Sequence, residues 1–98
     1  MNNFETDIDI EVDELIDKAL DEDHGYSLIV WNDDVNTFDD VIFTLMEVCA
    51  HTFEQAEQCA TIIHFKGKCS VKNGDFDKLK VMQEKISSRK IQATIEKA

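Results

Sequence analysis

Charge is partitioned along this chain in a way that decides where a fold can form. Residues 1–23 carry ten acids (Glu5, Asp7, Asp9, Glu11, Asp13, Glu14, Asp17, Asp21, Glu22 and Asp23) against one base, Lys18. That segment alone holds −9 of the formal −11, which leaves −2 for the 75 residues that follow. Like charges at this density repel, so the segment is a poor candidate for folding by itself. The chain therefore divides into an acidic N-terminal arm, 1–24, and a compact domain, 25–98. Within the arm, Val12, Leu15, Ile16 and Ala19 fall at helical spacing and allow a weak amphipathic helix. A solvated tail and an interaction arm both fit that pattern.

Composition narrows the function. With 98 residues, 43% hydrophobic and 32% charged, the chain has the balance of a single soluble globular domain. Its negative charge repels phosphate, which disfavours nucleic acid and anionic membranes as partners. It holds no apolar run of about 18 residues for a membrane span. No basic-then-apolar leader opens it, so a secretory signal is not expected. Cys49, Cys59 and Cys69 are odd in number and form no CxxC pair. That argues against a disulfide framework or zinc knuckle and suits a reducing cytoplasm. The series Asp7, Asp9, Glu11, Asp13 imitates a calcium loop but has Val12 where glycine is needed and Lys18 where glutamate is needed. No phosphate-binding loop, nucleophile elbow or zinc-protease motif is present, so neither an enzyme nor a cofactor is expected.

From Gly25 onward the punctuation sets a clear order of elements. Tyr26 to Trp31, rich in aliphatic and aromatic residues and bounded by Gly25 and Asn32-Asp33-Asp34, reads as a central strand. Asn36 or Thr37 can cap a helix over about 38–50, with Phe38, Val41, Ile42, Leu45, Met46 and Cys49 on its apolar face. Thr52-Phe53-Glu54-Gln55 matches a capping box for a second helix, running to about Phe65. Its inward face would be Phe53, Ala56, Cys59, Ala60, Ile62 and Ile63, and Gly67 would stop it. Lys68 to Lys72 reads as a short strand, Asn73-Gly74 as a turn, and Asp75 as the cap of a helix over about 76–87. That helix would bury Phe76, Leu79, Met82 and Ile86. Ile91 to Ile95 alternates as a half-buried closing strand. The expected fold is α+β, βααβαβ, with a three-stranded antiparallel sheet packed against three helices.

Chemistry gathers where the first strand ends. Asn32, Asp33 and Asp34 offer an amide oxygen and two carboxylates, which suit a cation with several donors; an ammonium group has three. The same residues could simply form an Asx-turn that shapes the loop. His64, near the end of the second helix, could add a ring nitrogen as acceptor or merely decorate the helix end.

Tyr26 to Val41, YSLIVWNDDVNTFDDV, resembles the signature segment of the ClpS adaptors, bacterial N-end-rule recognition proteins. That segment has an aliphatic strand, Asn-Asp-Asp, usually Thr-Pro-Met, and a Val one helical turn on. His64 stands 32 residues beyond Asn32, the family's spacing, and Gly67-Lys68 matches the Gly-Lys that follows it. The closing Ala93-Thr94-Ile95-Glu96-Lys97-Ala98 is similar to the family's Cys-Thr-Leu-Glu-Lys ending. The resemblance covers residues 25–98 and implies a non-catalytic, monomeric, cytoplasmic adaptor without a cofactor. Such an adaptor binds the free N-terminal residue of an N-degron protein (Leu, Phe, Tyr or Trp) and delivers it to the N-terminal domain of the Clp AAA+ unfoldase.

On matching positions, the resemblance implies that Asn32, Asp34 and His64 hold the α-ammonium, with Asp33 supporting the negative field. It assigns the side-chain pocket to Val30, Asn36, Phe38, Val41, Ala60, Ile63 and Ile91, and partner docking to Lys80. The acidic arm matches the family's N-terminal extension, which the unfoldase engages. Three departures stand out: Asn36-Thr37-Phe38 replaces Thr-Pro-Met, Ala60 replaces Met, and the stretch between His64 and Ile91 is shorter. Two other classes share features with the chain. One is a protein-interaction module of the same fold without degron binding, such as the ribosomal stalk C-terminal domain. The other is a phosphoacceptor receiver domain, whose first strand also ends in two Asp.

Overall fold

A computed structural model describes residues 25–98, in the order βααβαβ. The acidic arm and its weak helical pattern lie outside the described residues. The first strand, β1 (Tyr26–Trp31), is central in a sheet of order β2-β1-β3, with β2 (Lys68–Gly74) and β3 (Ala93–Lys97) both antiparallel to it. An antiparallel three-stranded sheet is incompatible with a receiver domain, whose crossovers require parallel strands. The helices are α1 (Phe38–Cys49), α2 (Phe53–Lys66) and α3 (Phe76–Ser87).

Local chemistry starts and stops each helix. Thr37 and Thr52 both head capping boxes, closed by Asp40 and Gln55 respectively, which satisfy otherwise orphaned N–H groups. Asp75 is the N-cap of α3 but makes no side-chain capping bond. Ala50 at φ 58° ends α1, and Gly67 at φ 97° ends α2, where the missing Cβ makes a left-handed conformation cheap.

Leu28 and Val30 of β1 are fully buried against Ile42, Leu45 and Cys49 of α1, Ala56, Ala60 and Ile63 of α2, and Leu79 and Ile86 of α3. The β1–β2 register shifts between Leu28 and Ile29, so Val71 becomes the extra residue of a bulge. Its side chain joins the core, and its carbonyl accepts the His51 Nε2–H at 2.7 Å. At the far end, Ala98 donates its N–H to the Gly25 carbonyl at 2.6 Å, which fastens the C-terminus beside the start of β1.

Several details differ from the sequence expectations. Asn73-Gly74 is not a turn: both residues continue β2, paired with Ser27 and Tyr26, and Ser27 Oγ donates to Asn73 Oδ1 at 2.7 Å. The closing strand begins at Ala93 rather than Ile91, because the ladder to β1 ends at the Val30–Ala93 pair; Lys90, in the left-handed region at φ 67°, turns the chain just before. Ile91 is nonetheless buried from the preceding loop. Phe53 and Ile62 face solvent, not the core. The buried stripe of α2 is Ala56, Ala60 and Ile63, at i, i+4 and i+7, and Ile62 points about 120° around the helix from it. Phe38, Met46 and Phe76 are likewise more than a third exposed.

Candidate functional site

Three segments meet beyond the end of β1. The loop 32–37 leaves the strand, α1 begins at Phe38, and the last turns of α2 pass alongside. The Asn32 N–H donates to the Gly67 carbonyl at 2.9 Å, tying the strand end to the end of α2. Between these segments lies a cavity of about 410 Å³. Its lining combines Asn32, Asp33, Asp34, Asn36, Thr37 and His64 with the apolar Phe38, Val41, Ala60 and Ile63. Among the described residues, two carboxylates and no Lys or Arg line it, so its field favours a cation.

Asp33 organises the loop. Its Oδ1 accepts the N–H groups of Val35 at 2.8 Å and Asn36 at 2.7 Å, and its Oδ2 accepts the Asn36 side-chain amide at 3.1 Å. Burial pushes the Asp33 carboxyl up, but the hydrogen bonds from the Asn36 backbone, the Asn36 amide and the Val35 backbone outweigh it and hold the group below the usual carboxylate range. The Asx-turn reading of this residue is thus realised, and both of its oxygens are engaged. Asn32, Asp34 and His64 differ: among the described residues their side chains make no hydrogen bond, and all three are exposed at the cavity. Their acceptor oxygens and ring nitrogen can converge on one group with several donors.

Of the residues singled out from sequence, Asn32, Asp33, Asp34, Asn36, Phe38, Val41, Ala60, Ile63 and His64 come together around this cavity. Val30 and Ile91 do not line it; they are buried in the core beneath. Lys80 is remote, exposed on α3, where its Nζ donates to Gln83 Oε1 at 3.3 Å. Thr37 also lines the cavity, a role its capping signal concealed. Among the described residues no cluster of His, Cys, Asp and Glu could hold a metal ion, and no helix is long and apolar enough to cross a membrane.

Comparison with known proteins identifies the family and the fold. A solved structure, Agrobacterium tumefaciens ClpS2 bound to L-phenylalaninamide, superposes with a TM-score of 0.70 at 19% identity, covering 74% of this chain and 95% of that one. The ATP-dependent Clp protease adapter protein ClpS of Corynebacterium aurimucosum is 30% identical over 90 residues, which span 90% of this chain and 81% of the relative. The ClpS family model, described as ATP-dependent Clp protease adaptor protein ClpS, matches residues 21–95. Sequence and fold thus place the chain in the ClpS family, the non-catalytic adaptors of the ATP-dependent Clp protease.

Proposed function

We propose that the chain recognises proteins by a free N-terminal Leu, Phe, Tyr or Trp and delivers them to the N-terminal domain of the Clp AAA+ unfoldase. Asn32, Asp34 and His64 accept the three N–H donors of the α-ammonium, while Asp33 fixes the loop that presents them and adds to the negative field. The first side chain enters between Phe38, Val41, Ala60 and Ile63. Two physical tests are thereby combined: charge-assisted hydrogen bonds select a free terminus, and buried apolar area selects a large side chain. The protein acts as a cytoplasmic monomer, its acidic arm is the segment the unfoldase engages, and exposed Lys80 contributes to docking.

The observation that carries this reading is one cavity that, among the described residues, joins unpaired acceptors, with no Lys or Arg, to an apolar wall. The bound molecule in the Agrobacterium structure, L-phenylalaninamide, has the same pairing of an α-amino group with a large apolar side chain. Titration of a labelled Phe-initiated peptide against its N-acetylated twin tests it. Tight binding lost on acetylation is expected; equal binding of the two peptides refutes the reading.

A further inference from the structure

Among the described residues, the two most exposed large apolar side chains are Val35, 80% exposed, and Phe65, 78% exposed. Neither lines the cavity, yet each directly follows a polar residue that does: Val35 follows Asp34, and Phe65 follows His64. Both are held in place. Asp33 Oδ1 accepts the Val35 N–H, and the Phe65 ring stands edge-on to the His64 imidazole, with centroids 4.9 Å apart and planes at 82°. The bond from the Asn32 N–H to the Gly67 carbonyl joins the two segments that carry them. Single exposed apolar side chains are ordinary. Two beside the polar residues of one cavity suggest a contact to be made.

We infer that Val35 and Phe65 form an apolar rim that receives the side chain of the substrate's second residue. The inference rests on the degron reading, because it needs the first side chain inside the cavity and the ammonium at Asn32, Asp34 and His64. The ammonium and the first carbonyl share one Cα, so the chain leaves beside the polar acceptors. The second Cα then lies about 3.8 Å from the first, within reach of the neighbours of Asp34 and His64. An aliphatic or aromatic second side chain buries surface against the Phe65 ring and Val35. A serine there gains little. The site thus selects for a pair of residues, the first by enclosure and the second by contact at the rim.

Fluorescence anisotropy of the full-length chain with labelled Phe-Leu and Phe-Ser peptides, identical beyond the second residue, measures this directly. Phe-Leu should bind about eightfold tighter, the fold-change that about 50 Å² of buried apolar surface supplies. Phe65→Ser should bring the ratio to about one, and Val35→Ser, in a loop rather than a helix, should also lower it. A wild-type ratio near one, or a ratio that survives both substitutions, overturns the rim. Failure of the degron reading looks different: neither peptide binds, or both bind equally after N-acetylation, and the rim falls with it.

Discussion

Asn36 donates its side-chain amide to the Lys90 carbonyl at 2.8 Å and to Asp33 Oδ2 at 3.1 Å, spending both amide hydrogens. One side chain thereby fastens the loop after β1 to the loop before β3, where Lys90 holds its left-handed conformation. The cavity wall at this end depends on that fastening, since Asn36 and its neighbours Thr37 and Phe38 all line it.

Asn36→Ala should therefore lower both stability and binding. Losing two half-exposed bonds costs about 1–2 kcal/mol, and for a domain of this size each kcal/mol lowers the melting temperature by about 4–8 °C. Thermal denaturation followed by circular dichroism checks the first effect. An unchanged melting temperature would show that the two loops hold their positions without Asn36.

Asp33 gives the loop an acid sensitivity of definite sign. Its folded carboxyl lies below the usual range, so the folded state favours the charged form. The resulting stabilisation is complete above the unfolded carboxylate value of about 3.9 and fades as pH falls through the lower folded value. Asp33→Asn, which cannot titrate, should flatten the acid limb of the melting temperature against pH below about pH 4. Parallel acid limbs in the two proteins would contradict this assignment.

On the proposed degron reading, removing one of the acceptors Asn32, Asp34 and His64 should leave an ammonium N–H without its partner, a loss of about 1–3 kcal/mol. Asp34→Ala is accordingly expected to weaken a Leu- or Phe-initiated peptide at least about tenfold. Because Asp34 is exposed and makes no hydrogen bond among the described residues, the melting temperature should hold. Wild-type affinity in this variant would remove Asp34 from the ammonium site.

Ala60 is buried at the cavity wall, which also includes Phe38. Against the Met that the family resemblance implies at both positions, Phe38 adds volume and Ala60 subtracts it. Ala60→Met alone should overfill the space and weaken every peptide, whereas Phe38→Met with Ala60→Met should restore binding and broaden the ranking of first residues. Isothermal titration with Leu-, Phe- and Trp-initiated peptides distinguishes these outcomes. Tighter binding of all three by Ala60→Met would mean that the cavity has room to spare there.

The thiols give an independent check of the packing. Burial pushes Cys49 up to about 11, with Lys72 opposing and Cys59 adding to the rise; burial and then the neighbouring Cys59 push Cys69 up to about 12. At pH 8 only about 0.1% of Cys49 or less is thiolate, against about a quarter of a free thiol at its ordinary value of about 8.5. Iodoacetamide should modify both cysteines at least about a hundredfold more slowly in the native protein than in guanidinium, as followed by peptide mass mapping. Comparable rates in the two conditions would show that α1, α2 and β2 open readily.

Much of this molecule can be read in its sequence, and the exceptions have physical causes. Short-range signals were sufficient for the helices: Thr37 and Thr52 open two of them, and Gly67 closes one, as their side chains or lack of one dictate. Asn73-Gly74 misled because a pair that favours turns also tolerates extended backbone when a neighbouring strand offers a full ladder, as β1 does. Phe53 shares the face of Ala56, Ala60 and Ile63 but is the first residue of α2 and stays about half exposed, whereas Ile62 points well away from that face. In the site, Asp33 and Asp34 are adjacent and chemically identical, yet one is consumed by its own loop and the other faces the cavity. No local pattern separates them; the turn geometry does.

The acidic arm joins the described domain at Gly25, which leads directly into the central strand, and the cavity lies past that strand's other end. Tension applied through the arm would enter the sheet along β1 and be shared by two ladders at once, one to β2 and one to β3. An edge strand could be peeled off one bond at a time, but a strand gripped on both sides must slide against many bonds together. The attachment point thus sits on the one strand of the described domain held by two ladders, and about 20 Å of strand separates it from the cavity.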